Sequence, residues 1–295
     1  MAKMYFGSTE MSPVFIREEK VIERVLDQDI HQVLGNVNEY YKLERDETPI
    51  IINGERIKDL GDYALIGKYY KDSRVEEIHF DDLQQLTGYA ALSYFNFDGK
   101  CEKISFNNLI SISGDYACYY MMYQNYSAKS PPGLGNGTNT LKNVNMPLLQ
   151  TISGNYACQY MFYYCSGLTS VDLSNLTSIS GDYSCNYMFS YCNNLPSVDL
   201  SNLTSISGGS SCYGMFANCY KLSSVDLSNL TSISGGSACY YMFSRCSGLT
   251  SVDLSNLTSI SGSASCYGMF YYCNNLSNIK LFDLVMSEEK DEGNR

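Results

Sequence analysis

The chain has few of the residues on which most enzyme active sites are built. It contains no tryptophan and only two histidines, His31 and His79, among 295 residues. It has no phosphate-binding loop, no nucleophile elbow and no His-Glu-x-x-His zinc motif. The glycines between Gly133 and Thr138 lack the third glycine of a dinucleotide fingerprint. We therefore expect a protein that is not an enzyme, with no catalytic residues, no cofactor and no bound metal.

Positive charge and long hydrophobic runs are also scarce. The 20 Lys and Arg residues against 31 Asp and Glu give a formal net charge of −11. Nucleic acids and anionic membranes repel such a chain, so neither is expected as a partner. No run approaches the roughly 18 apolar residues of a membrane span, and the first ten residues lack a signal-peptide core. We expect synthesis in the cytoplasm without membrane insertion; removal of an export signal is the alternative.

What the chain does contain is an internal repeat. The string Ser-Val-Asp-Leu-Ser-Asn-Leu-Thr-Ser-Ile-Ser-Gly occurs four times without change, 27 residues apart, beginning at Ser170, Ser197, Ser224 and Ser251. A fixed period of this length is typical of solenoids, in which stacked units bury one continuous core. The repeat predicts that Val171, Val198 and Val225 lie on adjacent coils.

The repeat extends beyond the four identical strings. Equivalents of the valine are Val144, Ile104 and Ile78 in one direction and Ile279 in the other. The interval from Ile104 to Val144 is one 27-residue period plus thirteen residues. We assign the thirteen extra residues to a loop at 127–139 that is rich in Pro and Gly. With a diverged coil near residue 51, the sequence predicts about eight coils and a partial one.

Each coil is predicted to be a strand, a turn and a short helix. Residues 197–201 alternate apolar and polar side chains, which is typical of a strand with one buried face. Ser207-Gly208-Gly209 forms the turn. From Ser211 to Tyr220 the apolar spacing becomes that of a helix, with one face formed by Cys212, Met215, Phe216 and Cys219.

The same residues resemble a known family. Met188-Phe189-x-x-Cys192-x-x-Leu195-x-x-Val198-x-Leu200 recurs from Met215 and from Met242, and the pattern is similar to the BspA-like leucine-rich repeat family over residues 49–284. The resemblance implies an α/β solenoid that is curved, with a parallel sheet on its concave face. It also implies a role in binding host proteins or surfaces.

The two ends do not follow the repeat. In residues 1–48, Met4–Phe6 and Met11–Ile16 predict a hairpin, and residues 18–41 predict an amphipathic helix. This helix either covers the first coil or mediates self-association into a homo-oligomer. The first fourteen residues resemble the openings of phage and prophage tail or receptor-binding proteins. Residues 285–295 form a charged tail.

The twelve cysteines fall mainly into two columns of the repeat. The columns are Cys118, Cys158, Cys185, Cys212, Cys239 and Cys266, and Cys165, Cys192, Cys219, Cys246 and Cys273. Their spacing lacks the Cys-x-x-Cys pairs of zinc sites. If the segment is helical, the two cysteines of one coil are about 10 Å apart, too far for a disulfide. We expect free thiols that act as small buried hydrophobic side chains.

Two surfaces are candidate binding sites. The first is a file of outward carboxylates on successive strands, Asp172, Asp199, Asp226 and Asp253, which is either a solvated acidic stripe or a site for cations. The second consists of tyrosines in two neighbouring columns, Tyr120, Tyr160, Tyr187 and Tyr241, and Tyr213, Tyr240 and Tyr267. Tyrosine is enriched in protein interfaces, although packing along the solenoid would also explain these columns.

These features predict a non-enzymatic recognition scaffold that binds a protein or a cell-surface receptor. The absence of a signal sequence and the phage-like opening favour a virion component that contacts the host. The alternatives are a BspA-like bacterial or protist cell-surface adhesin and an intracellular interaction scaffold.

Overall fold

The computed structural model describes residues 4–6, 9–11, 50–53, 59–60, 62, 69–70, 75–80, 82–93, 95–97, 101–122 and 140–281. The predicted helix at 18–41, the loop at 127–139 and the tail at 285–295 lie outside these residues. The first two strands pair antiparallel, with Met4 opposite Met11. They form the predicted hairpin, but its second strand is Thr9–Met11, and residues 12–16 are outside the described part.

The strands are short, and all but the first two take part in parallel pairs. They are β1 (Met4–Phe6), β2 (Thr9–Met11), β3 (Ile50–Asn53), β4 (Tyr69–Tyr70), β5 (Val75–His79), β6 (Gln85–Leu86), β7 (Asn96–Phe97), β8 (Lys103–Ser105), β9 (Ser111–Ile112), β10 (Asn143–Asn145), β11 (Thr151–Ile152), β12 (Ser170–Asp172), β13 (Ser178–Ile179), β14 (Ser197–Asp199), β15 (Ser205–Ile206), β16 (Ser224–Asp226), β17 (Ser232–Ile233), β18 (Ser251–Leu254), β19 (Ser259–Ile260) and β20 (Asn278–Leu281).

Two files of strands run the length of the solenoid. The first file contains the Ser-Val-Asp strands, in a five-stranded sheet of order β12-β10-β8-β5-β3 and a four-stranded sheet of order β14-β16-β18-β20. The second file is a seven-stranded sheet of order β19-β17-β15-β13-β11-β9-β6. The described part thus forms about seven full turns, where the sequence predicted about eight coils and a partial one.

The register is the one that the repeat predicts. Val198 is opposite Val225, and Val225 is opposite Val252, so identical residues of neighbouring coils are paired. Val144 is likewise opposite Val171. The equivalents assigned across the loop are confirmed as well, since Ile104 pairs with Val144 and with Ile78.

A proline interrupts the first strand file. In later coils the residue before the strand donates its backbone N–H to the coil before, as Ser223 does to the Pro196 carbonyl at 2.8 Å and Thr250 to the Ser223 carbonyl at 3.3 Å. The equivalent residue before β14 is Pro196, which has no N–H to donate. The hydrogen-bonded pairing of the first file stops between β12 and β14 at this position.

The predicted helix at 211–220 is wrong: the described residues contain no α-helix. Its place is taken in each coil by a run of overlapping turns, which we name the turn segment. In residues 154–165, alternate N–H groups close turns onto the carbonyl three residues earlier, as Ala157 does to Gly154 and Met161 to Cys158. The intervening N–H groups donate to the next coil, as Cys158 does to Ser184 at 2.7 Å.

The coil spacing explains why a helix is excluded. Parallel strands hold neighbouring coils about 4.8 Å apart. Packed helices need about 8–10 Å between their axes. The sequence did not reveal the second strand file, which imposes the strand spacing on another side of each coil. Helices stacked one per coil therefore do not fit. The turn segment has inter-coil hydrogen bonds of its own and therefore stacks at the strand spacing.

One continuous core runs along the array. Each coil contributes the apolar residues that the repeat predicts, among them Leu195, Val198, Leu200, Cys212 and Phe216, all buried. The phenylalanines stack from coil to coil: Phe189 and Phe216 have ring centroids 5.5 Å apart, and Phe216 and Phe243 are also 5.5 Å apart. Asparagine side chains join the coils at the surface, as Asn202 Nδ2 does by donating to the Ser174 carbonyl at 2.7 Å.

The cysteines are part of this core. All twelve are free thiols, and each is buried except Cys266, which is partly exposed. The thiols of the second column also donate weak hydrogen bonds to the preceding coil: Cys246 Sγ lies 3.1 Å from the Phe216 carbonyl oxygen, and Cys273 Sγ lies 3.0 Å from that of Phe243. The prediction that they are small buried side chains is confirmed, although the helical spacing used to separate them is wrong.

Candidate functional site

The turn segments place tyrosines on the surface of the solenoid through an unusual backbone conformation. Every fourth residue of a turn segment has a positive φ, for example 55° at Tyr156, 56° at Tyr160 and 62° at Tyr164. Each of these residues is the third residue of a turn closed by a hydrogen bond, the position at which a type II turn requires positive φ. Because the pattern repeats in every coil, equivalent tyrosines come into line.

The rings of these tyrosines stack along the array. Tyr120, Tyr160 and Tyr187 form one stack, with centroid distances of 4.5 Å and 5.4 Å. Tyr213 stacks on Tyr240 at 4.8 Å, and Tyr240 on Tyr267 at 5.0 Å. We call these six residues and Tyr241 the tyrosine surface. Its two columns are those that the sequence predicted to be neighbours.

The change of column between the two stacks has a structural cause. Gly214 and Gly268 stand where other coils have a tyrosine, and both have positive φ, 57° and 60°. In these coils the preceding residue, Tyr213 or Tyr267, supplies the ring. Tyr241 lies between the two arrangements and meets Tyr240 edge-on, with the centroids 4.4 Å apart.

Two further groups of tyrosines were missed as site candidates. Tyr116, Tyr156 and Tyr183 form a third stack, with centroid distances of 4.7 Å and 5.0 Å. Tyr163 and Tyr271 also join the surface, each through ring contacts with its neighbours. A comparison of the Gly-x-Tyr positions at the start of each turn segment would have identified the third stack from the sequence.

An open cleft of about 480 Å³ interrupts the tyrosine surface. It is lined by Tyr160, Tyr163, Tyr187, Tyr191, Ala217, Asn218, Tyr241, Ser244, Arg245 and Tyr271. The small residues Ala217 and Asn218 belong to the coil in the middle, whereas tyrosines lie on the coils to either side. Arg245 is exposed, and its guanidinium carbon lies 5.7 Å from the centroid of the Tyr272 ring.

The predicted acidic file is present on the first strand file. Asp199 is opposite Asp226, and Asp226 is opposite Asp253. Asp172 lies across the break in the sheet and pairs with Asn145. Each carboxylate caps the turn after its strand: Asp199 Oδ1 accepts the Ser201 N–H at 2.9 Å, and the equivalent bond is made in the other three coils. These side chains thus have a local structural role.

The last member of the file is paired with a cation. Lys280 Nζ lies 2.9 Å from Asp253 Oδ2. Hydrogen bonds from Ser255 and Lys280 lower the pKa of the Asp253 carboxyl to about 2, and the same contact raises the pKa of Lys280. The described residues contain no group of three or more His, Cys, Asp or Glu side chains placed to hold a metal ion. They also contain no helix with the length and apolar character of a membrane span.

A family model confirms the type of repeat. Residues 155–289 match, in six copies, the model described as BspA type Leucine rich repeat region. Over these residues the chain is similar to BspA-type leucine-rich repeats, and the resemblance noted in the sequence is confirmed for this part of it.

Solved leucine-rich repeat proteins share low similarity with the chain. A T. pallidum leucine-rich repeat protein is 18% identical, with a TM-score of 0.39, over 62% of this chain and 70% of that one. A leucine-rich repeat protein from Bacteroides ovatus is 18% identical, with a TM-score of 0.29, over 70% of this chain and 69% of that one. One from Eubacterium ventriosum is 18% identical, with a TM-score of 0.28, over 82% and 74%. No curated protein matches the chain.

Proposed function

We propose that the chain is a non-enzymatic scaffold that binds a protein or a cell-surface receptor through its tyrosine surface. The observation that carries the proposal is the conformation of the tyrosines. Four of the seven members of the tyrosine surface have positive φ, namely Tyr120, Tyr160, Tyr187 and Tyr241, whereas Tyr213, Tyr240 and Tyr267 do not. Six tyrosines outside this surface share the positive φ: Tyr116, Tyr156, Tyr164, Tyr183, Tyr191 and Tyr272. An L-residue in this region costs about 1–2 kcal/mol, and glycine avoids most of that cost. Tyrosine is therefore kept at these positions for its ring.

The rings are suited to contact with a partner. A stacked aromatic pair contributes about 0.5–1.5 kcal/mol, which offsets the backbone cost but gives no reason for a hydroxyl on every ring. Tyrosine offers a large amphipathic surface that loses little side-chain entropy on binding, and it is enriched in binding surfaces. Tyr267 is 59% exposed, which leaves much of its ring available to a partner.

The acidic file is the weaker candidate. One oxygen of each carboxylate already accepts the backbone N–H two residues later, and Asp253 is also paired with Lys280. Contact with a partner would compete with these bonds. We therefore assign the acidic file a structural role at the ends of the strands, and we assign the recognition of a partner to the tyrosines.

The sequence leaves three hypotheses for where this binding takes place. A virion component would present the array to a host receptor, an adhesin would present it on a cell surface, and an intracellular scaffold would present it inside the cell. Immunogold labelling of virions and of intact cells separates the three. Label on virions favours the first, label on intact cells the second, and label only after permeabilisation the third.

A displayed random-peptide library tests the recognition surface. Binders are selected on the wild-type protein and measured against a variant with Tyr213→Ser, Tyr240→Ser and Tyr267→Ser. These rings are outside the lining of the cleft. Because binders converge on the few residues that carry most of the interaction energy, we expect affinities at least about tenfold weaker for this variant.

The matched control carries three changes on the acidic file, Asp172→Asn, Asp199→Asn and Asp226→Asn. The selected peptides should bind the control as they bind the wild type. Peptides that bind the tyrosine variant undiminished, or that lose affinity on the control alone, would contradict the proposal. Circular dichroism of all three proteins verifies that they are folded.

A further inference from the structure

One column of side chains on the turn segments is an aromatic stack with a position missing. Tyr164 and Tyr191 stack at 4.2 Å with their planes 6° apart. The next coils have Asn218 and Arg245 at the equivalent position, and the coil after them has Tyr272. All five residues have positive φ, between 59° and 63°. The backbone at Asn218 is therefore the one that carries tyrosine elsewhere in the same column.

The cleft lies at this missing position. Its middle coil contributes Ala217 and Asn218, where the coils on either side of the cleft have pairs of tyrosines, Tyr163 with Tyr164 and Tyr271 with Tyr272. The ring contacts of Tyr191 are with Tyr163 and Tyr164. The face of Tyr191 that points along the array toward Asn218 therefore has no ring against it.

The spacing of the coils determines how thick a group can fit in the cleft between Tyr191 and Arg245. Tyr191 and Arg245 are two coils apart, which corresponds to about 9.6 Å at the strand spacing. The Asn218 side chain lines the cleft at this level and accepts a hydrogen bond from the Tyr220 hydroxyl at 3.4 Å. A planar group held in the cleft beside it would lie about 4.8 Å from each of the two neighbouring levels, within the usual range for stacked rings. The stacked rings of Tyr213 and Tyr240 have the same separation, with their centroids 4.8 Å apart.

The two walls favour an aromatic ring over an aliphatic group. Tyr191 offers a ring face, and Arg245 offers a guanidinium that already lies over the ring of Tyr272. A ring between them would gain a stacking contact on one face and a cation–π contact on the other. Ion pairs in the described part occupy Lys103, Lys142 and Lys280, whereas Arg245 is directed at aromatic rings.

We propose that the cleft at Asn218 takes one aromatic side chain of the partner protein, which completes the stack between Tyr191 and Arg245. The inference rests on the proposed function and gives the partner a required feature, an exposed aromatic residue. Side chains of this kind are typical anchors of protein interfaces.

The absence of tryptophan from the chain provides the probe. N-acetyl-tryptophanamide can be excited at a wavelength that tyrosine does not absorb, so its emission reports only on the probe. We expect saturable binding by the wild type, displacement by N-acetyl-phenylalaninamide and no displacement by N-acetyl-leucinamide. Equal displacement by the leucine compound would overturn the proposal.

Two variants fill the cleft with side chains that other coils carry, one at the missing position and one at the position before it. Asn218→Tyr and Ala217→Tyr each introduce the side chain found at the equivalent positions of the first and last coils around the cleft, so both should fold. Both should lose the saturable binding. If either one, folded by circular dichroism, binds the probe as well as the wild type does, the proposal is wrong.

Arg245→Gln tests the other wall, and Lys221→Gln is its control because it removes one exposed cation outside the cleft. A cation–π contact at an exposed site corresponds to binding about two- to fivefold weaker for Arg245→Gln. Lys221→Gln should bind as the wild type does. Equal weakening in both variants would show that net charge, and not the wall of the cleft, is responsible, which contradicts the proposal.

The outcomes separate this inference from the proposed function. If the probe does not bind while library peptides still depend on Tyr213, Tyr240 and Tyr267, the cleft assignment fails and the recognition surface stands. If the peptides do not depend on those residues, the proposed function fails whatever the probe does.

Discussion

The ring of Tyr187 lies over Gly214, so that a β-carbon on this glycine would come within 2.5 Å of Tyr187 Cε1. The same relationship holds two coils further along the array, between Tyr241 and Gly268. A tyrosine in one coil therefore leans across the next coil, and glycine at the facing position leaves space for it. In that next coil the ring is supplied by Tyr213.

A methyl group at Gly214 should be costly. Gly214→Ala places a β-carbon at a φ of +57° and against the Tyr187 ring, and we expect a loss of about 1–2 kcal/mol in the free energy of unfolding. The control is Gly236→Ala, because a β-carbon there would meet only the Ser263 carbonyl oxygen at 3.8 Å, without positive φ. Urea denaturation of both variants measures the difference. Equal midpoints would contradict both the contact with Tyr187 and the backbone cost at this φ.

The buried thiols should make the fold sensitive to alkali. Burial raises the pKa of Cys212 and of Cys219 from 9.0 to about 12. Between these values the unfolded chain loses thiol protons that the folded chain keeps, so stability is full below about pH 9 and falls as pH rises toward 12. Each such thiol contributes up to about 1.4 kcal/mol per pH unit.

Thermal melts in a reducing buffer check this dependence. Melting temperatures should fall steeply from about pH 9 to about pH 12, and Cys212→Ala should reduce the slope. Cys266→Ala should reduce it less, because Cys266 is only partly buried and burial therefore raises its pKa only to about 11. A melting temperature that does not change over this range would contradict the assignment of the cysteines to the dry core.

The pair of Asp253 and Lys280 should stabilise the fold until acid protonates the Asp253 carboxylate. Hydrogen bonds from Ser255 and Lys280 lower the pKa of Asp253 from 3.8 to about 2. The contribution is present above the unfolded value and is lost as pH falls through about 2. Carboxyl NMR titration should show that Lys280→Gln raises this pKa, whereas Lys221→Gln leaves it unchanged. An unchanged pKa in Lys280→Gln would mean that Ser255 alone is responsible.

Restoring an N–H at position 196 should join the two sheets of the first strand file. Pro196→Thr gives this position the residue of Thr169 and Thr250, whose N–H groups donate to the preceding coil. We expect the new amide to exchange with solvent slowly, as the Thr250 amide does, in hydrogen–deuterium exchange followed by NMR. The control is the Thr250 amide in the same sample. Exchange at the rate of an exposed loop amide would show that the break has another cause.

The sequence predicted the stacking of the coils because the repeat has a single period. Identical strings at Ser197 and Ser224 leave one register that buries both valines, and the structure pairs them. It did not predict the second strand file. Those strands are two residues long, and one such as Ser205–Ile206 buries a single side chain, which is too short an alternation to be recognised as a strand.

The turn segment was mistaken for a helix for a similar reason. Inward residues at Cys212, Met215, Phe216 and Cys219 fit a helix, but overlapping turns place the same positions inward. The tyrosine stacks were predicted from their columns, whereas the cleft was missed because it depends on a ring that one coil lacks.

Backbone hydrogen bonds between coils occur on three sides of the array: both strand files and the turn segment. Bonds of this kind fix the distance between neighbouring coils of the described residues, apart from the break in the first strand file at Pro196. Any partner that reads several tyrosines at once must therefore present its own groups at multiples of the same interval of about 4.8 Å. A molecule with evenly spaced determinants would match this surface over many coils, and one with irregular spacing would engage it at a single point.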